Sequence, residues 1–253
     1  MDGIEVSFVV NLHREGRLCI ASLTSAVNAV QFASRSGIPA ELLIVLDNPD
    51  DATLSIAERF SRHARLLLIN VKDLGEARNH GVSCSRGQYV AFMDGDDLCC
   101  RNWLVAAYNE TGLFSRSCIV HPQFNLFFGR NYSRYFWVHP DMRKDDIRLS
   151  RLLVENLWTS SVFSEKKIFV RVPYIRNDIK NGLGYEDWVF NVETSTSGIN
   201  HITAPDTILF IRRNKEASLL VESGANAVIP AFNKLFDKSQ TSFRNINARL
   251  YYP

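Results

Sequence analysis

Short apolar runs alternate with longer amphipathic stretches over the first hundred residues. Val6 to Val10 has almost no polar interruption and reads as a strand buried on both faces. Gly16 to Ser36 sets Leu18, Leu23, Val27 and Val30 on one stripe, which predicts a helix ended by Gly37 and Pro39. Leu42 to Leu46 is a second continuous apolar strand. Asn48 and Pro49 read as the cap and first-turn pair of a helix carrying Leu54, Ile56, Ala57 and Phe60. Leu66 to Val71 predicts a third strand, Gly75 to Ser85 a short helix, and Tyr89 to Met93 a fourth strand.

Strands apolar on both faces and separated by helices predict a mostly parallel central sheet flanked by helices on both faces, an α/β fold. In such sheets ligands sit at the carboxyl ends of the strands. The four tips are Asn11 to Glu15, Asp47 to Asp51, Lys72 to Gly75 and Asp94 to Asp97, and every one carries an acid. They are expected to line one crevice.

The second half has a weaker pattern. Residues 101 to 116 read as a helix, Trp158 to Phe163 as a strand, Glu186 to Ser197 as a helix and Thr207 to Arg212 as a late strand. The aromatic and arginine-rich stretch from His121 to His139 fits neither period. Ile229 to Phe236 reads as a short helix within a C-terminal tail. The chain therefore divides into a regularly alternating half over 1–100, a less regular half of the same domain over 101–222, and a helical tail over 223–253.

FMDGDD places Asp94, Asp96 and Asp97 within four residues at a strand end. Carboxylates that close repel one another unless a cation joins them. Hard oxygen ligands on a tight turn suit Mg²⁺ or Mn²⁺, which take few protein carboxylates together with substrate phosphates.

Bulk properties narrow the reading. With 46% hydrophobic and 22% charged residues and a net charge of +2, the 253 residues can bury a core and leave no strongly basic face for nucleic acid. The five cysteines show no C-x-x-C spacing and suit a reduced, cytoplasmic chain. No apolar run approaches the roughly 20 residues needed to span a bilayer, so the expectation is a soluble chain, at most peripheral at the inner face of a membrane.

The strand and loop VSFVVNLHREG, the strand ending in Asp47, the run LGEARNHGVSCSRGQYVAFMDGDD and the downstream YEDW together resemble family 2 glycosyltransferases of the GT-A fold. The similarity extends from about residue 5 to 220. It implies an inverting transferase that moves a sugar from a nucleotide diphosphate, here most simply a UDP-sugar, to an acceptor hydroxyl. A glycan or a lipid-linked acceptor and a role in surface polysaccharide synthesis are the expectation. Residue by residue, it implies that Asp47 binds the nucleotide base, that Arg78 contacts the nucleotide or its diphosphate, and that Asp94, Asp96 and Asp97 share ribose and metal contacts. It also implies that Asp187 is the general base, with Glu186 orienting the acceptor or the loop.

The first loop departs from the family's usual Pro-x-Tyr-Asn: Asn11, Leu12, His13 and Arg14 stand there. Asn11, His13 and Glu15 are assigned to the donor side, His13 stacking on or bonding to a base. Trp137, Trp158 and Trp188 are candidate stacking surfaces for acceptor sugars. Arg212, Arg213 and Ser218 resemble a late basic segment that closes over the diphosphate, and His201 is a minor metal candidate. No Gln-x-x-Arg-Trp follows the acidic pair, which favours transfer of a single sugar over processive synthesis.

Three rivals are weaker. A haloacid dehalogenase-type phosphohydrolase would place its Asp pair at the first strand and follow it with Thr or Ser. A nucleotidyltransferase would carry a glycine-rich basic loop after the first strand. A catalytically inactive glycan- or partner-binding module would have no need for the intact Asp94, Asp96, Asp97 and Asp187.

Overall fold

The computed structural model describes residues 3–114, 116–213 and 223–232. Strands β1 (Val6–Leu12), β2 (Ala40–Asp47), β3 (Arg65–Ile69) and β4 (Tyr89–Asp94) alternate with helices α1 (Leu18–Arg35), α2 (Asp51–Glu58) and α3 (Leu74–Cys84). The short β5 (Leu98–Cys99) and helix α4 (Trp103–Leu113) follow, then the long β6 (Cys118–Gly129) and its partner β7 (Tyr135–Val138). Further on come β8 (Phe163–Glu165), α5 (Lys166–Arg171), β9 (Leu183–Gly184), α6 (Glu186–Thr196), β10 (Asn200–Arg213) and β11 (Ile229–Pro230).

Nine strands form one sheet in the order β3-β2-β1-β4-β8-β6-β10-β5, with β7 beside β6. β1, β2, β3 and β4 are mutually parallel. The sheet is mixed because β8 runs antiparallel between β4 and β6, while β10 is parallel to β6. The two halves of the chain thus share one sheet, and β8 from the second half is hydrogen-bonded to β4 of the first.

The alternation of side chains along β1 explains the two larger of the three apolar clusters among the described residues, one on each face of the sheet. Val6, Phe8, Val10 and Leu12 face a cluster with α1 and α4, where Leu23, Ala26, Trp103 and Leu104 are fully buried. Val9 faces the other cluster, built with Ala77 and Val82 of α3, Phe169 of α5 and Phe190 of α6. Chain direction leaves β1 toward β2 on one side and toward β4 on the other. Such a switch point opens a crevice beyond the carboxyl ends of the two strands.

Several sequence expectations need correction. The cap of α2 is Asp50, whose side chain accepts the Thr53 N–H; Asn48 instead adopts φ 49°, turning the chain out of β2. An Asp cap two residues later satisfies the same orphan donors that Asn48 was expected to serve. Residues 158–162 are not a strand. They form an irregular segment held by side-chain bonds, and pairing begins only at Phe163. The unplaced aromatic stretch contains the β6–β7 hairpin. Ile229 does not start a helix: Ile229 and Pro230 pair with Leu183 and Gly184. Residues 223–225 form a single helical turn, and the remainder of the expected tail lies outside the described residues. Among the described residues no helix is long and apolar enough to cross a membrane.

Candidate active site

β1 and β4 lie in register with Asn11 beside Asp94. The turn after β4 is folded tightly under β1. A Cβ added at Gly95 would meet Leu12 Cδ2 at 2.2 Å and the Asn11 carbonyl oxygen at 2.5 Å. Gly95 is therefore required by close approach of two backbones. Asp96 and Asp97 follow and are buried. The Asp97 carboxylate accepts the backbone N–H of Arg212 at 2.9 Å, and the Asp96 carbonyl accepts Arg212 Nε–H at 3.3 Å. These contacts tie the acidic turn to the end of β10.

Arg78 sits at the centre. It projects from α3, is 1% exposed, and lies over the Tyr174 ring with its guanidinium carbon 5.2 Å from the centroid. One terminal nitrogen donates to Asp94 Oδ1 at 2.8 Å and the other to Glu186 Oε1 at 2.5 Å. Burial works against the guanidinium's charge, but Asp94 and Glu186 outweigh it and raise its pKa further. The side chain expected to touch the diphosphate thus has both ends committed to carboxylates of the protein. Asp94 Oδ2 accepts the Ser160 hydroxyl at 2.8 Å.

The run Leu74-Gly75-Glu76-Ala77-Arg78-Asn79 has a physical reason at each of three positions. A Cβ at Gly75 would stand 2.0 Å from the Ile175 carbonyl oxygen, so only glycine lets the 175 segment pass. Asn79 exchanges two hydrogen bonds with the backbone of Tyr174. Arg78 then reaches inward to join the sheet tip and α6.

α6 begins in an unusual way. Tyr185, its N-cap, lies in the left-handed region at φ 59°, ψ 55°, with no side-chain cap bond. A non-glycine residue held there stores strain of order 1–3 kcal/mol, a feature concentrated at functional sites. The strained turn delivers Glu186 into the core, 3% exposed, against Arg78. Asp187 is half-buried beside it, accepting Asn156 Nδ2–H on Oδ2 at 3.0 Å. Burial raises the Asp187 pKa to about 7, Glu186 adding to the rise and Arg78 opposing it.

At the tips of β1 and β2, Asp47 accepts backbone hydrogen bonds on both of its oxygens. Its Oδ1 accepts Val71 and Lys72 N–H, and its Oδ2 accepts Asp73 N–H at 2.9 Å. Asp47 therefore shapes the β3–α3 loop. His13 is exposed and its Nδ1 lies 2.5 Å from the Asp47 carbonyl oxygen, while Glu15 accepts His13 N–H at 2.6 Å. The Asn11 side chain is buried with neither amide atom hydrogen-bonded.

The three tryptophans part company. Trp158 is 1% exposed, donates to the Pro140 carbonyl and stacks on His201 with centroids 4.2 Å apart. Enclosure on that scale removes it as a sugar platform: its rings are core. Trp137 is half-buried against Phe127 and His139. Trp188 is half-buried against Tyr185 and Phe232, donating to the Leu152 carbonyl. His201 is buried, with one ring nitrogen bonded to His121 at 2.8 Å and the other to Thr194 at 2.9 Å, so both nitrogens are taken by the core. Ser218 lies outside the described residues.

Sequence reasoning marked the tip that holds Asp73 without giving that residue a role, and it did not foresee the bonds made by Asn156 and Ser160. Asp73 caps α3 by accepting Glu76 N–H and also accepts Asn177 N–H, joining two loops. Its place just before the helix was a legible cap signal. Asn156 and Ser160 lie in an irregular segment, where no periodicity points to an orientation.

The Glycosyl transferase family 2 profile matches residues 7–150, more than half of the chain. The chain belongs to glycosyl transferase family 2. Its relatives include the uncharacterised glycosyltransferase EpsJ of Bacillus subtilis, 40% identical over 126 residues, which are 46% of this chain and 34% of that protein. The uncharacterised glycosyltransferase RT0329 of Rickettsia typhi is 25% identical over 166 residues, 64% of this chain and 52% of that protein. Among solved structures, S. aureus TarS in complex with UDP-GlcNAc aligns with a TM-score of 0.63 at 16% identity, covering 84% of this chain and 60% of TarS. The likeness to TarS establishes the shared GT-A fold. The chain spans only part of the length of the proteins it matches, between 23% and 52% of the relatives from B. subtilis, Borreliella burgdorferi and R. typhi.

Proposed function

We propose that this family 2 glycosyltransferase moves a single sugar from a UDP-sugar to an acceptor hydroxyl in one inverting displacement, with Asp187 as the general base. One observation carries the reading. A single buried arginine ties Asp94, at the carboxyl end of the sheet, to Glu186, at the start of the helix that presents Asp187. Donor-side acid and candidate base are thereby held in one rigid frame, close enough that Asp94 acts on the charge of Asp187.

A carboxylate whose pKa is raised toward neutrality is matched to removing a hydroxyl proton near pH 7, and such a base accelerates transfer about 10²–10⁴-fold. The acceptor oxygen would attack the anomeric carbon from the Asp187 side while the nucleotide diphosphate leaves on the other. Glu186, locked to Arg78, orients the helix start.

A divalent ion fits this chain only in a shared form. Among the described residues no three His, Cys, Asp or Glu side chains converge to hold one. Asp94 already serves Arg78 and Ser160, and Asp97 serves Arg212. A donor set of one or two carboxylates, Asp96 with Asp94, is what Mg²⁺ or Mn²⁺ uses when phosphate oxygens complete its shell. When bound, the ion would stabilise the charge growing on the leaving diphosphate. The complex of TarS with UDP-GlcNAc makes UDP the first nucleotide to try. A glycan or lipid-linked acceptor, with the chain working at a surface-polysaccharide step, is part of the same proposal.

The test is a thermal-shift screen of UDP, GDP and TDP with and without Mn²⁺. Binding at 100 times Kd stabilises by about 2.7 kcal/mol, easily seen as a raised Tm. UDP with Mn²⁺ is expected to give the largest rise. Melting unchanged by every nucleotide diphosphate would sink the donor assignment.

A further inference from the structure

We propose that Asn156, held by Asn191, is the positioning residue that orients Asp187 and selects its ionised form. The inference rests on Asp187 being the base and adds how its protonation is set.

An ionised carboxylate only accepts hydrogen bonds. Asn156 Nδ2–H donates to Asp187 Oδ2 at 3.0 Å, so the amide turns its NH₂ toward the acid. Its own oxygen then faces away and accepts Asn191 Nδ2–H at 2.8 Å. Asn191 Nδ2 also donates to the Trp158 carbonyl at 3.2 Å, which occupies both of its hydrogens. Asn191 is 1% exposed in the middle of α6. Its NH₂ group is thereby fixed by a backbone carbonyl that cannot turn.

Protonation of Asp187 on Oδ1 would leave Oδ2 a neutral, weaker acceptor for Asn156, and protonation on Oδ2 would set a hydroxyl against the Asn156 NH₂. Asn156 could offer its oxygen only by flipping, which would set its NH₂ against the NH₂ of Asn191. Two donors facing each other in a buried place cost a hydrogen bond on each side. The pair therefore favours the carboxylate. The other groups that act on Asp187 are Glu186, Arg78, Asp94 and the buried Tyr174. Glu186 and Asp94 favour its protonated form, Arg78 its ionised form, and the Trp188 N–H also favours the ionised form. Asn156 is the added neutral group whose orientation the fold dictates.

The segment that carries Asn156 is itself anchored. Trp158 Nε1–H donates to the Pro140 carbonyl, Thr159 N–H donates to His139 Nε2, and the Ser161 hydroxyl donates to the Phe92 carbonyl. The same segment sends the Ser160 hydroxyl to Asp94. Six residues thus set both acids that the proposed reaction uses.

The experiment is a ¹³C carboxyl NMR titration of the full chain labelled at aspartate, with the Asp187 resonance assigned by its loss in Asp187→Asn. No donor or acceptor is needed. Asn156→Leu removes the bond to the acid at nearly constant volume. Asn191→Leu frees the Asn156 oxygen without adding a charge, so the amide can flip and present that oxygen to Asp187. Both variants are expected to raise the Asp187 midpoint by about one pH unit, a tenfold gain in proton affinity. Asn156→Ser, which keeps a donor, is expected to restore part of the shift. Midpoints unmoved from the parent in both folded variants would overturn the relay. Failure of the base reading has a different signature: undiminished transfer by Asp187→Asn, with the relay titration unchanged.

Discussion

Replacing Arg78 by methionine should destabilise the fold severely, and a second substitution should reverse most of the loss. Arg78 is 1% exposed and Glu186 is 4% exposed at the side chain, while Asp94 is 29% exposed. Removing the guanidinium leaves Glu186 as a buried carboxylate with its partner gone. Breaking a buried pair from one side costs about 3–5 kcal/mol, because the remaining charge is uncompensated. Asp94 adds less, since water reaches it and screens the lost interaction. For a domain of this size about 1 kcal/mol corresponds to roughly 2–4 °C, so Arg78→Met should lower Tm by about 6–20 °C. The assay is reversible urea unfolding at pH 7, followed by fluorescence, beside a thermal melt. The diagnostic step is Arg78→Met with Glu186→Gln. The neutral amide removes the orphaned charge, so the double variant should regain at least half of the loss. Arg78→Lys should fall between, because an ammonium cannot hold two carboxylates in a fork. A single-variant loss under about 1 kcal/mol would refute the reasoning, as would a double variant no more stable than the single one.

Two further outcomes follow from the same geometry. The Asp187 pKa is raised from 3.8 to about 7 in the folded chain, so the folded state binds the extra proton. Its contribution is fully present below about pH 4 and is lost as pH rises through about 7. Asp187→Asn should therefore melt close to the parent at pH 4 and above it at pH 8; equal melting at both would contradict the shift. Asp47→Ala strips three backbone N–H groups of their acceptor, so urea unfolding should show a loss of at least about 2 kcal/mol, with hydrogen exchange at residues 71–73 markedly faster. An unchanged exchange rate would mean that Asp47 does not hold that loop.

The parallel half of the fold was legible because its strands are apolar on both faces and its helices have one apolar stripe. Local periodicity and burial agree in β1, β2 and β4, whereas the edge strand β3 holds no fully buried residue and leaves Leu68 exposed. The carboxyl-end acids were legible for the same reason, since a strand's end follows from its pattern. The mixed half was not. β8 spans only three residues and is inserted by pairing with β4 and β6, and pairing partners leave no period in a short strand.

What the sequence by itself determined is the kind of chemistry: clustered acids at strand ends, an Arg-bearing helix before them, and an acidic pair opening a late helix. It did so because strand and helix ends are local properties. Only the tertiary structure decided how those groups are used. It turned Arg78 into an internal bridge, closed Asp47 on a loop, buried Trp158 and set Asn156 against Asp187. Each of those outcomes depends on where a residue far away in sequence comes to rest, and a hydrogen bond or a buried charge exists only once both of its ends are in place.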